Sequence, residues 1–285
     1  MRKTFFCLTT ALSFAMLVPA SLPAQSIWLD RRHDKTIGFE VLIPNFKNED
    51  NSFVTSSNSG LVIFSLLRLP LSEKVLFVGE LPFAHGSSKI KSTRFNINES
   101  ESESAIGNPY LGLELKGQNS PAFAEFGIRL PLASEKKDLS LFTGLFTDID
   151  RLEAFLPNIL SISGMANLHH VDKSGFAVRL RGGPSLLINT DSNGGDDDTE
   201  LFISYSAQTG YESERVSVLG GLTGRANMTE DNLSFSERSI HQLGFNASVG
   251  LGNVRPGLHF RIPLDDDLKE SLDFVMGFNL GIRLN

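Results

Sequence analysis

Cysteine is nearly absent: Cys7 is the only one in 285 residues. Thr4, Phe5 and Phe6 ahead of it lack the small side chains that precede a lipid-modified cysteine. Past residue 25 there is none, so neither disulfides nor thiolate chemistry figures in the rest of the chain. Missing too, after residue 25, is any apolar run near the roughly 18 residues of a membrane-spanning helix. A basic excess is lacking as well, with Lys+Arg at 26 against Asp+Glu at 33. Setting aside Arg2 and Lys3 leaves 24 against 33, a balance that argues against nucleic acid or anionic lipid surfaces as general partners. Histidine is sparse. His33, His85, His169, His170, His241 and His259 show no i, i+2 or i, i+4 pairing, so no metal site and no cofactor is predicted.

Enzyme chemistry finds little to stand on. Lipid-modifying catalysis at a barrel surface needs a Ser–His pair facing lipid. His169 and His170 stand beside a turn with Asp172 and Ser174, at the end expected to be periplasmic, and read as a polar interfacial pair. His85 and His241 lie near the external ends of their segments and are isolated in sequence. The glycine pairs Gly182–Gly183 and Gly220–Gly221 fall inside strand patterns, where they mark bends or close packing rather than phosphate loops. No catalytic residue is predicted, and the chain reads as a non-enzyme.

What is present begins with residues 1–25. Arg2 and Lys3 form a positive region, Phe5 to Val18 an apolar one, and Pro19 to Gln25 a small-residue tail, the pattern of a cleaved secretory signal peptide. Residues 26–34 form a short leader with the only tryptophan, Trp28. It is expected on the periplasmic side, as an ordered tail, an interfacial anchor or a partial plug of the lumen. About 260 residues remain after the signal, the size of one large domain.

Period-two alternation dominates that domain. In the closing stretch, Leu272, Phe274, Met276, Phe278, Leu280, Ile282 and Leu284 form one file, and Asp273, Val275, Gly277, Asn279, Gly281 and Arg283 the other. This is longer than the usual soluble strand of about five or six residues and suits a tilted transmembrane strand of roughly nine to eleven. Similar segments occur at 35–44, 60–69, 74–85, 106–116, 121–131, 158–171, 173–189, 200–211, 214–227, 238–251 and 254–264. The face of 60–69 stays ambiguous because the run is apolar throughout. Connections alternate long and short: 45–59, then 70–73, 86–105, 117–120 and 132–157, with the same alternation onward. Short periplasmic turns, long external loops and an even strand count are the marks of an outer-membrane barrel. The predicted fold is all-β: a twelve-stranded antiparallel transmembrane β-barrel over 35–285, in the outer membrane, with both termini periplasmic. Its expected partners are outer-membrane lipid, the barrel-assembly machinery and an unidentified small solute.

The external loops are polar and acidic, as at Asn98–Ser104 (NESESES) and in the aspartate run Asp196–Asp198. Adjacent aspartates lack the alternate spacing of a Ca²⁺ loop, so these read as solvated tips. One segment breaks the pattern. Over 138–156, Leu139, Phe142, Leu145, Phe146, Ile149, Leu152 and Phe155 recur at helical spacing, which predicts a short helix folded over or into the barrel mouth.

Opposite the apolar files fall Glu40, Glu80, Glu114 and Glu125 on one side of the expected ring. Arg179, Arg181, Arg215, Arg225, Arg255, Arg261 and Arg283 fall on the other, and Arg129 shares a strand with Glu125. Glu40, Glu80, Glu125, Arg129, Arg179, Arg181 and Arg261 are the candidate lumen residues. They read either as a solute-facing constriction with a transverse field or as an Arg–Glu network that fills a narrow lumen. Barrels of eight strands hold only side chains and those of about sixteen a water channel, so twelve leaves both open.

At residues 106–115, IGNPYLGLEL, the sequence resembles the outer-membrane transporter-like families linked to aromatic-compound degradation. Those carry a Gly–Asp/Asn–Pro strand start followed by alternating apolar residues. The resemblance implies a barrel that takes up small organic solutes and implies no catalytic residues. The terminal Leu284–Asn285 departs from the aromatic ending that barrel-assembly signals typically carry.

Overall fold

A strand that alternates apolar and polar side chains presents a different face to each side of a sheet, and closing that sheet removes its unpaired edges. Both happen here. The computed structural model describes Trp28 and residues 34–50, 54–92, 95–117, 120–191, 199–230 and 232–284. The predicted signal peptide, the remainder of 26–33 and the aspartates at 196–198 lie outside the described residues.

The strands are β1 (Thr36–Phe46), β2 (Glu49–Asp50), β3 (Val54–Pro70), β4 (Val75–Ser92), β5 (Ile97–Ile106), β6 (Tyr110–Lys116) and β7 (Ala122–Arg129). They continue as β8 (Ile159–Val171), β9 (Phe176–Asn189), β10 (Thr199–Glu212), β11 (Val216–Asn227), β12 (Ser239–Val249), β13 (Val254–Pro263) and β14 (Leu272–Arg283). The ring runs β3–β1–β14 and then down in sequence order through β6 to β4, and the pairing of β3 with β4 closes it. Twelve antiparallel strands form the barrel, as predicted, and β2 and β5 are additions at the end away from the termini. The closing strand pairs with the first from Thr36↔Arg283 to Asn45↔Phe274.

The distribution of side chains is inverted relative to a soluble protein. Phe39, Leu81, Leu113, Phe245, Leu258 and Phe278 are exposed on the outside, while Glu40, Glu80, Glu114, Glu125, Arg129 and Arg261 are buried within. The facing of β3, ambiguous in sequence, resolves with Val62, Phe64, Leu66 and Arg68 inward.

Two expected loops are strand instead. β3 and β4 are 17 and 18 residues long and extend past the ring as a hairpin paired up to Val54↔Ser92. β5 lies along the upper half of β4, from Phe83↔Ile106 to Ser92↔Ile97. Hydrophobic periodicity misses such strands because both faces are hydrophilic, as in NESESES; their stability rests on backbone ladders. Below Ile106 the strand breaks at Gly107–Asn108–Pro109 and resumes as β6, paired with β4 from Glu80↔Tyr110 to Val75↔Leu115.

The long connection 130–158 carries α1 (Asp138–Thr147) and a 3₁₀ helix (Ile149–Ala154) with non-helical backbone at Arg151. A further short helix, α2 (Asp266–Ser271), precedes β14. The helix expected at 138–156 therefore forms, with its second half wound more tightly, and it sits inside the ring. Its seat is a cross-strand glycine pair, Gly60↔Gly86. A Cβ at either position would collide with Thr143, so these two glycines permit the close approach. Leu141, Ala154 and Phe155 join Leu42, Val62, Phe64, Ala84, Leu272 and Val275 in one apolar cluster. That cluster lies within the barrel, against β1, β3, β4, β5 and β14.

Candidate functional site

The lumen is built by inward-facing polar side chains of the wall and by the segment inserted among them. A guanidinium this deep needs several acceptors to offset its lost hydration, and Arg151 of the 3₁₀ helix finds them on three elements. It donates to Glu80 of β4 at 2.7 Å, to Asp148 at 2.8 Å through Nε, and to Glu40 of β1. Its planar face lies 3.4 Å over the ring of Phe64, a cation–π stack. Arg261 of β13 pairs with Glu40 and with Asp148, each at 2.9 Å, and Arg129 of β7 pairs with Glu80 at 2.6 Å. His259 comes within 3.5 Å of Glu40. Three carboxylates thus share three guanidiniums, and Arg151 and Asp148, both from the inserted segment, join the wall charges to one another.

The ends of the segment are fixed by the strand break. The Asn108 side-chain amide donates to the carbonyls of Glu153 (2.9 Å) and Leu156 (2.6 Å), and its carbonyl accepts from the backbone N–H of Leu132 and Ala133, both 2.7 Å. Arg129 also donates to the Asn108 backbone carbonyl at 2.7 Å. Pro109 has no N–H to leave unpaired where the strand resumes. Glu153 reaches across to Arg225 of β11 at 2.6 Å. From the other end of the lumen, Trp28 is buried with its ring over Gly244 and its carbonyl accepting from Asn246 at 2.6 Å.

The candidate residues divide into groups. Glu40, Glu80, Arg129 and Arg261 meet in the central cluster. Glu125 stands apart and accepts from the Tyr110 hydroxyl at 3.0 Å. Arg179 pairs with Glu212 at 2.6 Å, and His169 joins them at 2.8 Å. Arg181 is only partly buried. It lines two small cavities of about 30 and 20 Å³, one with Asn167, Arg179, Ser206 and Gln208, the other with Asp150, Arg151, Ser206 and Thr223. The two charged walls do not simply face each other across open space.

Arg68, Glu212 and the inserted Asp148, Arg151 and Glu153 were not anticipated as lumen residues. Arg68 pairs with Glu114 at 2.5 Å and was hidden by the ambiguous facing of its strand. The three inserted residues carried one signal: DIDRLEA at 148–154 is dense in charge for a segment expected to cover an apolar mouth. Arg215 is corrected outward, since β11 begins after it and it is exposed in the turn. Arg283 is also exposed. His241, isolated in sequence, has partners in space: the Tyr205 hydroxyl lies 2.6 Å from its Nε2 and Asp265 lies 3.2 Å from its Nδ1. His85 similarly contacts Ser104 at 2.9 Å.

Comparison with known protein families and with curated proteins yields no match. Among solved structures, the COG4313 outer membrane channel from Pseudomonas putida F1 superposes with a TM-score of 0.57 at 11% identity, over 92% of this chain and 100% of the channel. The chain shares that channel's fold. The translocator domain of the autotransporter NalP from Neisseria meningitidis follows at 0.46 and 9% identity, over 99% and 98% of the two chains. The CymD monoaromatic hydrocarbon channel gives 0.44 at 9% identity, over 90% of each chain. Two of the three are named as channels, the first of them as an outer membrane channel.

Proposed function

We propose that this chain is an outer-membrane barrel serving as a passive channel for small polar or organic solutes, held shut here by residues 138–156. The exposed apolar belt and the fold shared with an outer membrane channel support the location. The observation that carries the gating is how the wall charges are satisfied. A barrel filled purely for rigidity closes its ion pairs within the wall, as Arg68–Glu114 and Arg179–Glu212 do. Glu40 and Glu80 have wall partners of their own in Arg261 and Arg129, yet they are joined to each other only through Arg151, on a segment connected to the ring by loops, whose departure would break no ladder hydrogen bond. Withdrawal would expose the constriction residues Glu40, Glu80, Arg129 and Arg261 to solute, with Glu125, Arg179 and Arg181 on the path below. No reaction is assigned: among the described residues the outward Asp–His relay, Asp265–His241, ends on the phenol of Tyr205, and we read it as an anchor at the membrane rim.

The test is conductance in planar bilayers. Stepwise currents whose ion selectivity shifts toward cations in Arg181→Glu are expected. Silence from correctly folded protein, with the inserted segment both present and removed, would leave the second reading, a non-conducting surface barrel. That reading rests on the projecting β3–β4–β5 flap and its exposed Ser/Glu strand.

A further inference from the structure

The flap that rises above the ring sorts its charges by face. β3, β4 and β5 pair there without a register shift, from Ile63↔Phe83 to Val54↔Ser92 and from Phe83↔Ile106 to Ser92↔Ile97, so the alternation of faces runs unbroken out of the barrel. Glu99, Glu101 and Glu103 lie on the file that continues the lumen side, opposite Ile90, Ser88 and Gly86. Glu103 fixes the direction, since it accepts from the Leu139 N–H of the inserted helix at 3.1 Å. Lys89 and Lys91 lie on the other file, the continuation of Leu81 and Phe83, and both are exposed.

Among the described residues of these three strands no carboxylate shares the lysine face, and neither ammonium has an ion-pair partner. The register instead sets Lys89 between Ser57 and Ser100, and Ser87 between Ser59 and Ser102. Lysines on an exposed sheet commonly guard a free edge. β4 is the middle strand of the flap, flanked by β3 and β5, so edge protection explains neither. The chain's acidic excess is thus turned inward on this side, and the outer face is a grid of hydroxyls with two ammoniums.

What stands beneath that face selects its ligand. The outward file turns apolar at Phe83 and Ile106 and stays so through Leu81, Leu111 and Leu113, part of the exposed apolar belt. A molecule that covers both regions needs acyl chains below, and hydroxyls and negative charge above. Lys89 lies beyond Phe83 on one straight strand, about 15 Å above the belt at roughly 3.3 Å per residue and a tilt of about 40°. The head-group layer of a simple bilayer is about 5–8 Å deep on each side, which falls short of the lysines; a head group built of several sugars reaches them. We propose that the outer face of the flap docks a phosphorylated glycolipid of the outer leaflet, with its phosphates on Lys89 and Lys91 and its sugar hydroxyls on the serine rows. This docking needs the outer-membrane location but not a conducting lumen.

Titration of fluorescent lipopolysaccharide into the detergent-solubilised full chain tests it, with phosphate-stripped lipopolysaccharide and phosphatidylglycerol as the other probes. A lysine near an anionic lipid surface contributes roughly a factor of five. Lys89→Gln combined with Lys91→Gln is therefore expected to weaken lipopolysaccharide binding at least tenfold and to leave the other two probes unchanged. Wild-type affinity from the folded double variant overturns the docking, and an equal loss with phosphatidylglycerol overturns the glycolipid as its ligand. A second measurement needs no variant. With lipopolysaccharide bound, Lys89 and Lys91 are expected to be protected from acetylation by N-hydroxysuccinimidyl acetate, while Lys269, paired with Asp266 at 3.1 Å, stays as reactive as before. Unprotected Lys89 and Lys91 also overturn the docking. Either failure leaves the channel reading standing, because conductance alone decides that.

Discussion

Removing Arg151 is the most informative single perturbation of the closed lumen. In Arg151→Ala, Glu40 keeps Arg261, Glu80 keeps Arg129 and Asp148 keeps Arg261, so no carboxylate is left entirely alone. The cluster nevertheless goes from balance to one uncompensated negative charge in a site where Glu40 and Asp148 have no solvent exposure. Truncating one partner of a buried ion pair costs about 3–5 kcal/mol. The open state escapes that cost, because withdrawal of the segment returns water to the wall carboxylates. The penalty therefore falls on the closed state alone and, at about 1.4 kcal/mol per factor of ten, shifts the equilibrium toward opening by roughly two to four orders of magnitude. Single-channel recording reads this directly as open probability. Arg151→Lys, which keeps the charge but not the three-way donor fork, is expected between wild type and alanine. The barrel's heat-modifiable migration should not change, since no wall ladder is touched. An Arg151→Ala protein with the wild-type open probability would refute the idea that this guanidinium latches the segment.

Three further outcomes follow from local geometry. A Cβ at Gly244 would overlap the ring of Trp28, the only tryptophan in the chain. Gly244→Ala should thus red-shift the intrinsic emission and raise iodide quenching; an unchanged spectrum would place the ring elsewhere. Asn108→Ala removes four side-chain hydrogen bonds to the segment's two ends and leaves buried peptide groups unpaired at about 1–3 kcal/mol apiece. It should raise proteolysis within 132–156, with Asn108→Asp in between; equal digestion would show that the strand break does not anchor the segment. In the β8–β9 turn, the Ser174 hydroxyl holds the Asp172 carboxyl below the usual aspartate range. A carboxyl lowered on folding adds stability that is fully present above its unfolded pKa and lost as pH falls through the folded one. Asp172→Asn should therefore lower the urea midpoint at pH 6 by an amount that shrinks as the pH falls below the ordinary aspartate range, and parallel curves would rule the turn out.

The wall was legible in the sequence and the interior only partly so. A long strand such as 272–285 declares itself, because two environments impose two files of side chains and nothing else imposes that period. Arg261 and Glu40 could be assigned inward by parity alone. Parity has nothing to say about residues outside strands, however, and Arg151 and Asp148 lie in a segment whose charges only make sense once its apolar side has found Leu42, Phe64 and Val275. Gly60 and Gly86 carried no sign of being a seat, since pairing across a hairpin is invisible until the register is known. The motif at Gly107–Asn108–Pro109 was visible as a strand start. Its work as an anchor for both ends of a loop more than twenty residues away is a matter of three-dimensional proximity.

The most direct measurement is single-channel conductance of the chain with residues 138–154 replaced by a short Gly–Ser linker, its folding verified by heat-modifiable migration. A gated channel should then give large, steady current steps where the intact chain gives rare and brief ones. A folded barrel that stays silent after the segment is gone would contradict the channel and leave the lumen's charges with a structural role only.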